Sequence, residues 1–243
     1  MIGQLKHTLK AGFVEIEFSH PSHNSMDLEL LKALKDMITE LSLMNDVKAI
    51  LLKSGGDRSF CAGANFAELK SLKDADAAKD FFSGFGNVIN AMKNSSKIII
   101  GRIQGKSVGG GVGLIAACDV AFGTSFSSVR LSELLIGIGP FVIAPAVIRK
   151  IGIAAFNQLS FFPEEWKDVN WAYEKGLLSQ IFENTQEMDS YIEIYMKKLT
   201  SYNSEALSRI KRISWEDAEG WSDLLSKRAE ISGMLALNSL NIE

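Results

Sequence analysis

At 243 residues, 47% hydrophobic and 23% charged, the chain has the composition of a globular protein able to bury a large core, which excludes a disordered chain. A net charge of −3 leaves no basic footprint for nucleic acid. Cys61 and Cys118, far apart and in apolar surroundings, read as reduced thiols of a cytoplasmic protein.

In chain order, Phe13, Val14, Ile16 and Phe18 alternate as a strand over Phe13–Ser19, with no apolar signal segment ahead of it. Leu30, Leu31, Leu34, Ile38 and Leu41 draw a helical stripe over Asp27–Leu43, capped by Ser25 or Asp27. A buried strand over Lys48–Lys53 leads into the turn-rich Ser54–Ser59. Small residues in Phe60-Cys61-Ala62-Gly63-Ala64-Asn65 then open a further helix. Asp74–Asn94 reads as a long helix, Lys97–Ile103 as a strand, Gly109-Gly110-Gly111 as the start of a helix, and Asp119–Phe122 as another strand. The longest apolar tract, Leu134–Ile148, is broken by glycines, Pro140 and Pro145, so it does not read as a membrane span. Past Pro163 the segments Glu187–Thr200, Ser204–Ile213 and Asp217–Leu237 fit three helices. The alternation predicts an α/β protein with a core over residues 1–190 and a helical region over 191–243. His7, His20 and His23 have no metal-ligand spacing with other donors, so no metal site is expected.

A glycine cluster between a strand and a helix suits a phosphate or a developing oxyanion. Gly101-Arg102-Ile103-Gln104-Gly105-Lys106-Ser107 comes one residue short of a nucleotide phosphate loop, and a shorter loop offers a different set of amides. A dinucleotide fingerprint would want glycine where Leu114 stands. The oxyanion reading has a second member, Ala62-Gly63-Ala64, because amides from two junctions can converge on one oxygen. The plainer alternative is that both junctions are tight packing points.

Three motifs in order are Phe60-Cys61-Ala62-Gly63-Ala64-Asn65, Gly105 through Asp119, and Glu133-Leu134-Leu135-Ile136-Gly137-Ile138-Gly139-Pro140. Together they resemble the enoyl-CoA hydratase/isomerase (crotonase) family over essentially the whole chain. The closest motif likeness is to bacterial methylglutaconyl-CoA hydratase-like members. The resemblance implies a spiral of ββα units with a C-terminal helical trimerisation region, assembled as a trimer or a dimer of trimers. It also implies an acyl-CoA thioester substrate and no cofactor beyond the coenzyme A that the substrate carries. By position, the Ala62 and Gly110 amides would hold the thioester oxygen, and the backbone of Ala62, Gly63, Ala64 and Asn65 would line the CoA site. The loop of Asn24, Ser25 and Met26 would cover part of it.

The resemblance makes Glu133 the catalytic acid/base, with Leu131, Leu134, Leu135 and Ile136 around it to raise its pKa. Gly113 stands where hydratases of this pattern carry a second glutamate. Hydration divides naturally between two carboxyls, whereas a double-bond shift needs one, so the residues lean toward isomerisation and the whole-chain likeness toward hydration. Hydration is ranked first, isomerisation second, and a non-catalytic CoA-ester-binding scaffold third. Asp57 and Arg58 read as a polar loop with CoA contact as the alternative. Trp166, Trp171 and Tyr173 read as packing, and Lys197-Lys198 and Arg209–Arg212 as solvated helix faces. Acyl specificity is expected from Asp74–Asn94 and Phe141–Ile148, which offer no evident cation for a carboxylated acyl group.

Overall fold

The structure is a computed structural model that describes residues 3–240. Its first unit is a hairpin, β1 (Gln4–Lys10) and β2 (Phe13–Ser19), followed by α1 (Leu28–Leu43). The second holds β3 (Ala49–Ser54), β4 (Ser59–Cys61), α2 (Phe66–Ser71) and α3 (Ala75–Asn94). The third holds β5 (Ile98–Ile103), β6 (Lys106–Val108) and α4 (Gly110–Ala117). The fourth holds β7 (Val120–Thr124), β8 (Ser128–Arg130), a 3-10 turn over Glu133–Ile136 and α5 (Ala144–Ser160). Then come β9 (Lys167–Asp168), α6 (Val169–Glu174) and β10 (Gln180–Phe182). The helices α7 (Thr185–Ser201), α8 (Ser204–Ser214) and α9 (Trp221–Leu240) follow.

From the second unit on, each turn of chain lays its first strand into one sheet and its second strand into another. The six-stranded sheet runs β1-β2-β3-β5-β7-β10 and the four-stranded sheet β4-β6-β8-β9. Pairing is parallel except for β1 with β2 and β8 with β9. This is the ββα spiral that the resemblance implies.

Parallel strands covered on both faces read as continuous apolar runs, and here the two faces separate cleanly. Ile50, Leu52 and Ile99 share a core with Leu34 and Ile38 of α1 and Val88 and Met92 of α3. Ala49, Leu51, Ile98 and Ile100 share a second core with Met188, Ile192 and Met196 of α7. The expected boundary between residues 190 and 191 falls inside α7, and residues 1, 2 and 241–243 lie outside the described residues. β1 was not legible because six of its seven residues are exposed, so it carries no alternation of buried and polar positions. Asp27, not Ser25, caps α1, its Oδ1 accepting from Leu30 N at 2.8 Å.

A buried polar joint ties α8 to the core. Asp119 accepts from Ile99 N at 2.7 Å and pairs with Lys211 at 2.9 Å. Lys211 Nζ also donates to Lys97 O at 2.8 Å. Burial lowers the Lys211 pKa, against the pull of Asp119. Asp119→Ala would strand that cation and is expected to cost about 3–5 kcal/mol in urea unfolding. An unchanged midpoint would show that water reaches the joint.

Candidate active site

Because β4 pairs with β6, the chain leaves both strands at the same place. A Cβ added to Gly63 would stand 2.8 Å from Val108 O and 3.6 Å from Gly110 N, so the two small-residue turns meet backbone to backbone. Met26 N donates to Gly63 O at 2.8 Å and Asn65 N to Met26 O at 2.9 Å, a parallel bridge that leaves Ala64's own N–H and C=O facing the other way. Among the described residues the Ala64 and Gly110 N–H groups have no hydrogen-bond partner. Gly110 is the first residue of α4, where the N–H groups have no intrahelical acceptor.

Two expectations are corrected here. Ala62 N–H is engaged, donating to His23 O at 3.2 Å, so Ala62 is a wall residue and not a free donor. Ser25 and Met26 are interior, 5% and 0% exposed, and present no side chain to a ligand. Ser25 Oγ accepts from Asn65 Nδ2 at 3.2 Å, while Asn65 Oδ1 caps α2 through Ala67 N and Glu68 N, both at 3.1 Å. Asn24 locks the same loop by donating to Gly55 O at 2.7 Å and Ser59 O at 2.9 Å. The 21–26 loop therefore shapes the site from behind.

Glu133 opens the 3-10 turn and lies against Gly109, where an added Cβ would stand 2.9 Å from Glu133 Oε1. Gly109 also has φ +52° and ψ −119°, a conformation that favours glycine. Glu133 as a residue is half-buried, yet its Oε2 is closed off and has no partner among the described residues. Burial raises its pKa to about 7, with the backbone N–H groups of Glu133 and Ser132 pulling the other way. Cys61 and Cys118, also buried, are pushed up to about 12 and are inert as nucleophiles.

Glu133, Ala64 and Gly110 line one cavity of about 200 Å³, walled by Phe66, Phe82, Phe85, Ile138, Phe141 and Ile143. Among the described residues, Ser132 and Ser232 are the hydroxyl side chains in its wall, and no cation lines it. Gly113 is not in that wall. A Cβ there would overlap Ile143 Cγ2 and stand 2.7 Å from Ile143 Cβ, so the glycine lets α4 pack on the start of α5.

A second cavity of about 300 Å³ shares Ala62 and Val108 with the first and adds His23, Arg58, Lys106 and Trp166. Lys106 Nζ and the Arg130 guanidinium lie 4.9 and 4.7 Å from the Trp166 ring centre. Arg58, Lys106 and Arg130 have no carboxylate partner among the described residues, unlike Lys53, Arg102 and Lys167. Trp166 thus orients cations at the mouth of the site, a role sequence reasoning missed because Lys106, Arg130 and Trp166 are brought together by the small sheet. Trp171 is packing as expected, its Nε1 bonded to Gln158 Oε1 at 3.1 Å. Lys106 and Ser107 lie on β6 and not at a helix start, which removes the phosphate-loop geometry. Lys197 and Arg209 pair with Glu193 and Glu205 on their own exposed helix faces, both at 2.7 Å.

A ββα spiral with two free backbone donors and one buried carboxyl facing an apolar slot defines the class of this protein. The chain belongs to the enoyl-CoA hydratase/isomerase family, whose model matches residues 8–231. It is similar to a short-chain-enoyl-CoA hydratase of Clostridium acetobutylicum, 28% identical over 176 residues, 72% of this chain and 66% of that protein. A mitochondrial methylglutaconyl-CoA hydratase of Rattus norvegicus is 31% identical over 168 residues, 69% of this chain and 53% of that protein. The matched stretch thus spans about half to two thirds of these relatives' own length. An enoyl-CoA hydratase structure from Bacillus halodurans superposes with a TM-score of 0.89 at 20% identity, over 98% of this chain and 99% of that one, a likeness of fold. Among the described residues no helix is long and apolar enough to cross a membrane.

Proposed function

We propose that the chain hydrates an α,β-unsaturated acyl-CoA thioester, with Glu133 as the acid/base. The observation that carries this is the enclosed Glu133 carboxyl in one cavity with the two unengaged amides of Ala64 and Gly110. The thioester oxygen accepts from both N–H groups, which favour the negative charge it gains as water adds at C3. Glu133 takes the proton from water and returns it to C2 of the enolate. Nothing beyond the substrate's own CoA is needed. The test is purified protein with crotonyl-CoA and a 3-enoyl-CoA, following thioester-conjugated absorbance and mass. Loss of conjugation with gain of water supports hydration. A gain of conjugation without mass change supports double-bond isomerisation by Glu133 alone, the reading favoured by Gly113. Binding of both esters without turnover would leave a CoA-ester-binding scaffold.

The apolar wall favours an uncharged acyl group. A second carboxylate, as in a methylglutaconyl group, would be buried beside Glu133 with no counter-charge among the described residues. The unpaired Arg58, Lys106 and Arg130 suit the phosphates of CoA. Replacing Arg58 and Lys106 together with alanine is expected to raise the acyl-CoA Kd about tenfold at low salt, with kcat unchanged and the difference shrinking as salt is added. An unchanged Kd by calorimetry would move the phosphate site elsewhere.

Self-association as a trimer or a dimer of trimers, through the C-terminal helices, also belongs to this reading. Exposed Ile210 and Ile213 of α8 support it, and light scattering would check it. The unpaired, buried Cys61 and Cys118 are compatible with a cytoplasmic setting.

A further inference from the structure

Single-carboxyl hydration leaves one task unassigned. An attacking water must give one hydrogen to Glu133 and have its second hydrogen held, so that a lone pair faces C3. We infer that Ser132 holds that second hydrogen, an assignment that rests on the hydratase reading above. Four observations lead there. Ser132 lines the same cavity as Glu133 and precedes it at the entry to the 3-10 turn. Its position invites a side-chain cap, yet its hydroxyl makes no capping hydrogen bond. The other hydroxyl in the wall, Ser232, is 1% exposed and sits on α9, not on the turn that carries Glu133. Gly113 offers no second acid, and Ile143 fills the space into which one would project.

The step balances without a further acid. The water bonds to the Glu133 carboxylate through one hydrogen and to Ser132 Oγ through the other. As the O–C3 bond forms, the first O–H bond breaks and its proton goes to Glu133. The C2–C3 π pair becomes the C1–C2 bond of the enolate, and the carbonyl π pair moves onto the thioester oxygen, held by the Ala64 and Gly110 N–H groups. Collapse of the enolate then takes the same proton from Glu133 to C2 and restores the carbonyl. Ser132 gains and loses no proton; it orients the nucleophile. A double-bond shift uses no water and so leaves Ser132 idle.

That contrast sets the experiment. Ser132→Ala and Ser132→Thr are compared with the unaltered chain for crotonyl-CoA hydration, 3-enoyl-CoA isomerisation, butyryl-CoA affinity and Tm. Ser132→Ala is expected to lower the hydration kcat about 10- to 100-fold, with KM, butyryl-CoA affinity, Tm and any isomerase rate unchanged. Ser132→Thr, which keeps a hydroxyl, is expected to recover most of the hydration rate. Hydration at the original rate in Ser132→Ala overturns the assignment. So does a fall that isomerisation or butyryl-CoA affinity shares, which would mean that Ser132 acts by holding Glu133 in place. No water addition by the unaltered chain overturns the hydratase reading and this assignment with it.

Discussion

Glu133→Gln is expected to lower turnover about 1000-fold while butyryl-CoA affinity stays within a few-fold. The amide keeps the shape and polarity of the carboxyl, and the Ala64 and Gly110 N–H groups remain to hold the thioester. Turnover within tenfold of the original would remove Glu133 from the mechanism. The raised pKa adds a pH signature. Hydration begins with Glu133 as a base, so kcat/KM is expected to rise about tenfold per pH unit below about 7 and to level off above it.

The same shift has a stability consequence of opposite use to the enzyme. Glu133 titrates near 7 in the folded chain against an ordinary value of 4.5, so between those pH values the folded state binds the proton more tightly. Stability is therefore fully retained below about 4.5 and falls as pH rises toward about 7. The rise from 4.5 to about 7 corresponds to about 3 kcal/mol. Glu133→Gln lacks this ionisation, so it is expected to melt higher than the unaltered chain at pH 8, with the gap closing toward pH 4. A gap that stays constant with pH would place the carboxyl in solvent.

Gly113→Glu is the second large effect, and it is expected to disrupt the fold before it changes the chemistry. The new Cβ overlaps Ile143 Cγ2, and the carboxylate behind it would enter a helix interface among fully buried Val112, Leu114 and Ile115. Overpacking of this kind costs about 1–3 kcal/mol, and an unpaired buried charge adds to it. The expected loss in Tm is about 6–12 °C for a total near 3 kcal/mol, with no gain in hydration rate. Gly113→Glu combined with Ile143→Ala makes room and separates packing from chemistry. A strong rise in hydration from the single variant, at unchanged Tm, would show that α5 yields and that the missing acid limits the native protein.

What sequence reasoning reached followed from local periodicity and from motif order. The buried stripe of α1, the apolar runs of β3 and β5 and the helices α7 and α8 are carried by side chains close together in the chain, so their spacing reveals them. β6, β8 and β9 span two or three residues each, too few for a period, and exist because neighbouring strands offer hydrogen bonds. Glu133 stood out by its place in the motif order, while its sequence neighbours Leu134, Leu135 and Ile136 prove to be exposed and its burial comes from elsewhere in the fold. The donor pair could not be read the same way. Ala62, Gly63 and Ala64 are equivalent as small residues in a turn, and which N–H stays free depends on Met26 and His23, some 40 residues away.

The sequence by itself determined the α/β class, the family likeness, the single candidate carboxyl and the gap at Gly113, since each is a matter of residue type and order. Tertiary structure decided that Ala64 and not Ala62 offers its amide, that Ser25 and Met26 are interior, that Ile143 closes the Gly113 position, and that Trp166 gathers cations beside the site. The reason is physical: hydrogen-bond commitment and steric room are set by partners distant in the chain, and those partners become neighbours when parallel strands stack in the spiral.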